Sequence, residues 1–163
     1  MYNKTEKYQV VDVPGVGFEV RGFWRDDIHD LRTRMVLDVF SFAITEAQIE
    51  ALQYPNQLCQ QGFKNFAVLL GKEVGPGFAK FINDRIMGRD GFYHAGEMAI
   101  NSIKAVIQAG SRQRPAWMDE DIYTSRWKEW MEKYKDICIW FAQPDISKGE
   151  IQECIAIQKK DIN

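Results

Sequence analysis

Apolar and polar residues alternate along the first third of the chain, and the period then changes. In Tyr8–Val13 and Gly17–Trp24 the apolar positions recur every second residue, with Phe18, Val20 and Trp24 on one parity and Glu19 and Arg21 on the other. Period 2 marks a strand with one buried face. Pro14-Gly15 between the two runs presets a turn, so an antiparallel β-hairpin is expected. Arg34–Phe42 is rich in β-branched and aromatic residues and reads as a third strand. A helix from Asp27 would also bury Leu31, Met35 and Val39, and that alternative stays open.

From residue 45 the pattern reads as helical. Thr45-Glu-Ala-Gln48 fits a capping box, in which hydroxyl and amide satisfy free backbone donors at a helix start, and predicts a helix to about Gln53. Asn56 can cap a second helix that carries Leu58, Phe63, Phe66 and Leu69 on one face and ends at Gly71. Further helices are predicted over 78–87 and 93–109, with Met98, Ala99, Ile103, Val106 and Ile107 as the apolar stripe of the latter. Another opens at Asp119 and runs to Pro144 through Trp127, Trp130 and Phe141. Ser147–Glu150 repeats the capping pattern before a last helix, although Ile151, Ile155 and Ile157 also suit a strand. The expected class is α+β: an N-terminal antiparallel hairpin of two or three strands packed on a four- to five-helix body, predominantly helical. One domain over 1–163 is expected, strand-rich over 1–44 and helical over 45–163, with an exposed joint at 110–116.

Composition adds limits. With 45% apolar and 27% charged residues, the chain is neither disordered nor fibrous. It contains no apolar run of membrane-spanning length, so no membrane association is expected. Met1–Val11 lacks the basic head and apolar core of a secretory signal, and the cytoplasm is the expected compartment. Cys59, Cys138 and Cys154 are odd in number and widely spaced, which argues against a disulfide framework or a zinc ribbon. The net charge of −2 divides into −3 over 1–59, +4 over 60–115 and −3 over 116–163. The basic middle could steer an anionic partner, but the chain as a whole is too acidic for a committed duplex-DNA binder.

Three groups of residues could carry chemistry. The loop Gly71–Gly77 enters a helix, and Gly75 and Gly77 with Lys72 and Lys80 could hold a phosphate. Its pattern departs from a P-loop, which needs Lys and Ser/Thr after the second glycine. A helix-to-helix connector explains the same residues. In His94-Ala-Gly-Glu97, imidazole and carboxylate share a helix face and could relay a proton or bind a metal. The other histidine, His29, lies among Asp26, Asp27 and Asp30, so His29, His94, Glu97 and one Asp could ligate iron, manganese or zinc if the fold united them. The structural alternatives are a solvated carboxylate cluster and a histidine at a helix start. Finally, Trp117 lies beside Arg112 and Arg114, an aromatic–Arg pairing that suits a protein interface or the stacking of single-stranded bases, and equally a second core cluster.

With no nucleophile elbow and no activated cysteine in the pattern, the leading expectation is a non-enzymatic cytoplasmic binding protein: a regulator, inhibitor or adaptor that presents Arg112, Arg114 and Trp117 to a protein partner. The alternative is a small enzyme or an anion- or nucleotide-binding domain built on the 71–77 loop with His94 and Glu97. Nucleic-acid binding through the basic middle comes third. No cofactor is specified.

Overall fold

A computed structural model describes residues 1–112 and 114–133. The chain divides into two compact units, Met1–Gly110 and Ser111–Asn163. The first contains four strands, β1 (Thr5–Val13), β2 (Gly17–Arg25), β3 (Asp30–Asp38) and β4 (Ile44–Gln53), which form one antiparallel sheet in the order β1-β2-β3-β4. Helix α1 (Cys59–Phe63), a 3-10 turn over Lys64–Leu69, α2 (Phe78–Arg85) and α3 (Tyr93–Arg112) follow. In the second unit the described helix is α4 (Glu120–Lys133), whose Tyr123, Trp127 and Trp130 are buried. Among the described residues no helix is long and apolar enough to cross a membrane.

The hairpin forms as the alternation requires. Val16 N–H closes on the Val13 carbonyl at 3.0 Å, and Gly15 takes φ +76°, the left-handed position that follows Pro in a type II turn. Register then sets the faces. Trp24 pairs with Leu31, Val20 with Met35 and Phe18 with Leu37, so the large apolar residues of β2 and β3 share one face and are buried there. At a typical 1.5–3 kcal/mol for each large side chain removed from water, that face contributes substantially to the stability of the first unit. Helix α3 lies on the same side: His94 meets the Trp24 ring, and Asn101 Nδ2 donates to Glu6 on β1 at 2.8 Å.

The expected fold class is corrected at one element. Ile44–Gln53 is a fourth strand, paired with β3 from Leu37↔Ile44 to Asp30↔Gln53, and the chain is not predominantly helical. The capping box at Thr45 does not form: Thr45 Oγ1 donates across to the Val36 carbonyl at 3.4 Å. Ala47, Ile49 and Ala51 are half-buried while Gln48, Glu50 and Leu52 are exposed, a period of 2 hidden among good helix formers. The free edge of β3 supplies a ladder of hydrogen-bond partners, and that tertiary gain outweighs local propensity. Residues 34–38 belong to β3, resolving the strand-or-helix ambiguity there for the strand. The helices over 78–87 and 93–109 lie at Phe78–Arg85 and Tyr93–Arg112. The continuation of α4 to Pro144 and the segment 151–157 lie outside the described residues.

The opposite face of the sheet is charged. Arg21 and Arg34 are register partners, like charges directly across from one another. Glu19 lies between them, accepting from Arg21 Nε at 2.6 Å and from Arg34 Nε at 2.8 Å, while Arg34 also pairs with Glu46. Burial alone would raise the Glu19 carboxyl, but its bonds to the two guanidinium groups prevail and hold it below its ordinary value.

These contacts bear first on packing and second on pH. A Cβ on Gly22 would lie 2.4 Å from Thr33 Oγ1 and 2.9 Å from the Tyr8 ring, so Gly22→Ala is expected to cost about 1–3 kcal/mol in urea unfolding. Thr33 Oγ1 is buried with no hydrogen-bond partner, so Thr33→Val should be neutral or stabilising in the same assay; marked destabilisation would contradict the stated packing. The second outcome concerns pH. The folded value of Glu19 lies below the unfolded value of about 4.3, so its contribution is full above that pH and is lost as pH falls through the folded value. Between pH 7 and pH 3 the wild type should lose more unfolding free energy than Glu19→Gln, which at pH 7 is less stable by about 1–2 kcal/mol. Equal losses would show that the ladder carries no linkage.

Candidate functional site

The turn between β2 and β3 comprises Asp26, Asp27, Ile28 and His29, closed by Asp26 N–H on the His29 carbonyl at 3.0 Å. Aspartate at the first position of a turn can accept from backbone two and three residues on, and here Asp26 Oδ1 accepts from Ile28 N–H at 2.9 Å and His29 N–H at 2.8 Å. The same carboxylate takes Trp24 Nε1–H at 3.0 Å on Oδ2 and lies 3.0 Å and 3.1 Å from His29 Nδ1 through its two oxygens. Tyr2, from the segment before β1, donates its hydroxyl to Oδ2 at 3.2 Å. The side chains of Asp26 and His29 are 3% and 6% exposed, so these bonds work with little competition from water.

His94 reaches the turn from the first turn of α3. Its ring centroid lies 4.3 Å from that of His29 and 4.7 Å from Trp24, edge-on to the indole. Phe92 stands beside both imidazoles and meets Phe63 of α1 at 4.8 Å, so aromatic rings wall the pair on that side. Gly96 lets this end of α3 approach Met87: a Cβ there would lie 2.3 Å from Met87 Cγ. One donor atom each from Asp26, His29 and His94 lies within 4.8 Å of the others. His94 Nδ1 is buried and has no hydrogen-bond partner.

The electrostatics separate the groups. Burial opposes ionisation of Asp26, but the Trp24, Ile28 and His29 donors outweigh it and hold the carboxyl well below the usual carboxylate range. Burial lowers His94, the neighbouring His29 ring lowers it further, and the Asp26 and Glu97 anions offset part of this. The position of His94 at the positive end of a helix also disfavours its protonated form. At neutral pH the site thus holds a carboxylate and, in His94, a neutral imidazole with an unsatisfied nitrogen.

Other sequence-derived positions lie elsewhere. Glu97 is one turn along α3, accepts from Tyr93 hydroxyl at 3.2 Å, and is not in the three-residue group. Asp27 is exposed, and Asp30 faces Arg25 at 3.9 Å. In the 71–77 loop, Gly71 N–H binds the Ile44 carbonyl, Val74 N–H the Phe42 carbonyl and Phe78 N–H the Gly75 carbonyl, bonds that tie the loop to β4 and the turn before it and lead into α2, whose N-cap is Gly77. Lys72 Nζ lies 4.8 Å over the Phe81 ring, and Lys80 pairs with Asp84 on its own helix at 2.5 Å. Arg112 is exposed, Arg114 is half-buried and donates to the Met118 carbonyl, and Trp117 is half-buried. Cys59, half-buried, opens α1. Sequence reading missed Trp24 as a polar partner of Asp26 and missed Tyr2 altogether. The first was legible, since an aspartate two residues beyond a strand tryptophan in a tight turn faces the same side.

The electrostatics lead to a measurable order. By NMR pH titration of the ring protons, His94 should titrate below about 6.5, and Asp26→Asn, which removes an anion favouring the protonated ring, should lower it further. A His94 midpoint at or above the ordinary value would contradict the burial and pairing described.

Comparison with protein-family models matches residues 15–108 to one family, described as a protein of unknown function (DUF2889). No curated protein and no solved structure matches the chain. The matched stretch covers more than half of the sequence and contains Asp26, His29 and His94. The chain belongs to the DUF2889 family.

Proposed function

We propose that the chain is a metal-binding domain in which Asp26, His29 and His94 take a transition-metal ion of the iron, manganese or zinc class. The observation that carries this reading is the grouping of one donor atom each from Asp26, His29 and His94 within 4.8 Å of one another, with Nδ1 of His94 buried and unpartnered. A buried imidazole nitrogen left unsatisfied costs roughly 1–3 kcal/mol, a cost that a bound ion would remove. Two imidazoles and a carboxylate form a donor set of intermediate hardness, suited to these ions. Adjacent ligands of an ion with bonds of about 2.1 Å lie about 3.0–3.4 Å apart, so side-chain movements of about 1–2 Å would close the group. Three protein ligands leave a position open for water or a small ligand.

The reading as a regulator, inhibitor or adaptor through Arg112, Arg114 and Trp117 has less in its favour, because Arg114 already spends a donor on Met118 and Trp117 is half-buried. The cytoplasm is the compartment that three widely spaced cysteines suit.

Isothermal titration of the chelator-stripped chain with zinc should give one ion per chain. His94→Ala, checked for native fold by circular dichroism, should weaken binding by about 100-fold or more, above the loss typical of an outer-shell change. Absence of stoichiometric binding of zinc, manganese and ferrous iron would overturn the proposal.

A further inference from the structure

The segment before β1 brings a further oxygen to this cluster. Tyr2 Oη lies 3.2 Å from Asp26 Oδ2, and the same oxygen lies 3.1 Å from His29 Nδ1. Neighbouring ligands around an ion with bonds of about 2.1 Å lie about 3.0 Å apart in octahedral geometry, so both separations match adjacent edges of one coordination shell. The segment is held in this position. Lys4 Nζ sits 3.5 Å over the Trp24 ring and pairs with Glu6 at 2.8 Å, and Glu6 in turn accepts from Asn101 of α3.

We propose that Tyr2 is a fourth metal ligand, entering as a phenolate, and that the completed set of two imidazoles, one carboxylate and one phenolate selects ferric iron. This rests on the metal-binding reading above. Two anionic oxygens favour a harder, more highly charged ion than two imidazoles and a carboxylate do. On binding, the phenol O–H passes its proton to water as an oxygen lone pair forms the bond to iron, and the hydrogen bond to Asp26 is exchanged for a shared ion. No electron moves, because the iron enters as ferric ion. Tyr2 is 65% exposed, so water and the incoming ion reach its hydroxyl. Tyr93, also exposed and next to His94 in sequence, turns its hydroxyl to Glu97 and serves as the internal control.

The test adds ferric iron, as its nitrilotriacetate chelate, to the purified full chain and records the visible spectrum. A phenolate-to-iron charge-transfer band is expected in the wild type and in Tyr93→Phe, and its loss in Tyr2→Phe. Zinc titration of Tyr2→Phe should stay within about tenfold of the wild type, showing that the other three ligands remain in place. A band that persists in Tyr2→Phe overturns the assignment. So does the lack of a wild-type band when zinc binds and His94→Ala abolishes that binding, an outcome that leaves the three-residue site standing. Failure of every ion to bind overturns both proposals.

Discussion

The carboxylate of Asp26 organises the end of the sheet where the histidines meet. It folds the β2–β3 turn by taking two backbone donors, fixes the indole of Trp24, and orients the ring of His29. Charge-assisted hydrogen bonds to a carboxylate this well buried are stronger than neutral ones, and the buried Trp24 and His29 donors would be left unsatisfied without the acceptor. The turn, the core tryptophan and the histidine are therefore one unit held by a single side chain. His94 then finds its place by packing on the indole that Asp26 has fixed.

That dependence crosses a long stretch of chain. His94 lies sixty-five positions beyond His29, and between them come two strands, two short helices and the 71–77 loop. The cluster is complete only when α3 has docked beside the β2–β3 turn. Contacts this distant close late in sequence-separation terms, because loop entropy must be met first. The ties from Gly71 and Val74 back to β4 and its preceding turn shorten that effective loop, giving the glycine-rich segment a structural purpose independent of any anion.

The hairpin and the helix over 93–109 were legible because their apolar residues repeat at one period. The third strand was read over 34–42 from β-branched and aromatic content, with a helix from Asp27 left open, and pairing with β2 decides for a strand over Asp30–Asp38. The strand at Ile44–Gln53 was not legible. Its Ala, Glu, Gln and Leu residues favour a helix, and its conformation is set by the open edge of β3, which local sequence does not display. At the candidate site, the two histidines and the Asp26–Asp30 cluster stood out by rarity and chemistry. Their convergence was not readable, since no spacing links a turn at 26–29 to a helix start at 94. The choice of Asp26 over Asp27 and Asp30 came from the turn geometry, which gives only the first of the three a buried position and five donors. Tyr2 carried no signal, because a tyrosine in a polar terminal segment has no periodic context.

The charged face of the sheet bears on folding fidelity. Adjacent strands of an antiparallel sheet could slide by one position with little change in backbone hydrogen bonding, but side chains would exchange faces. In this sheet such a slide of β2 would carry Glu19 and Arg21 toward the side now occupied by Met35 and Leu37 and away from Arg34. Burying the Glu19–Arg21 pair against apolar side chains, with Glu19 parted from Arg34, costs more than a misplaced strand pair gains. The Glu19 ladder thus acts as an alignment key: it rejects misregistered hairpins while the sheet assembles, so the turn carrying Asp26 and His29 always emerges at the same height.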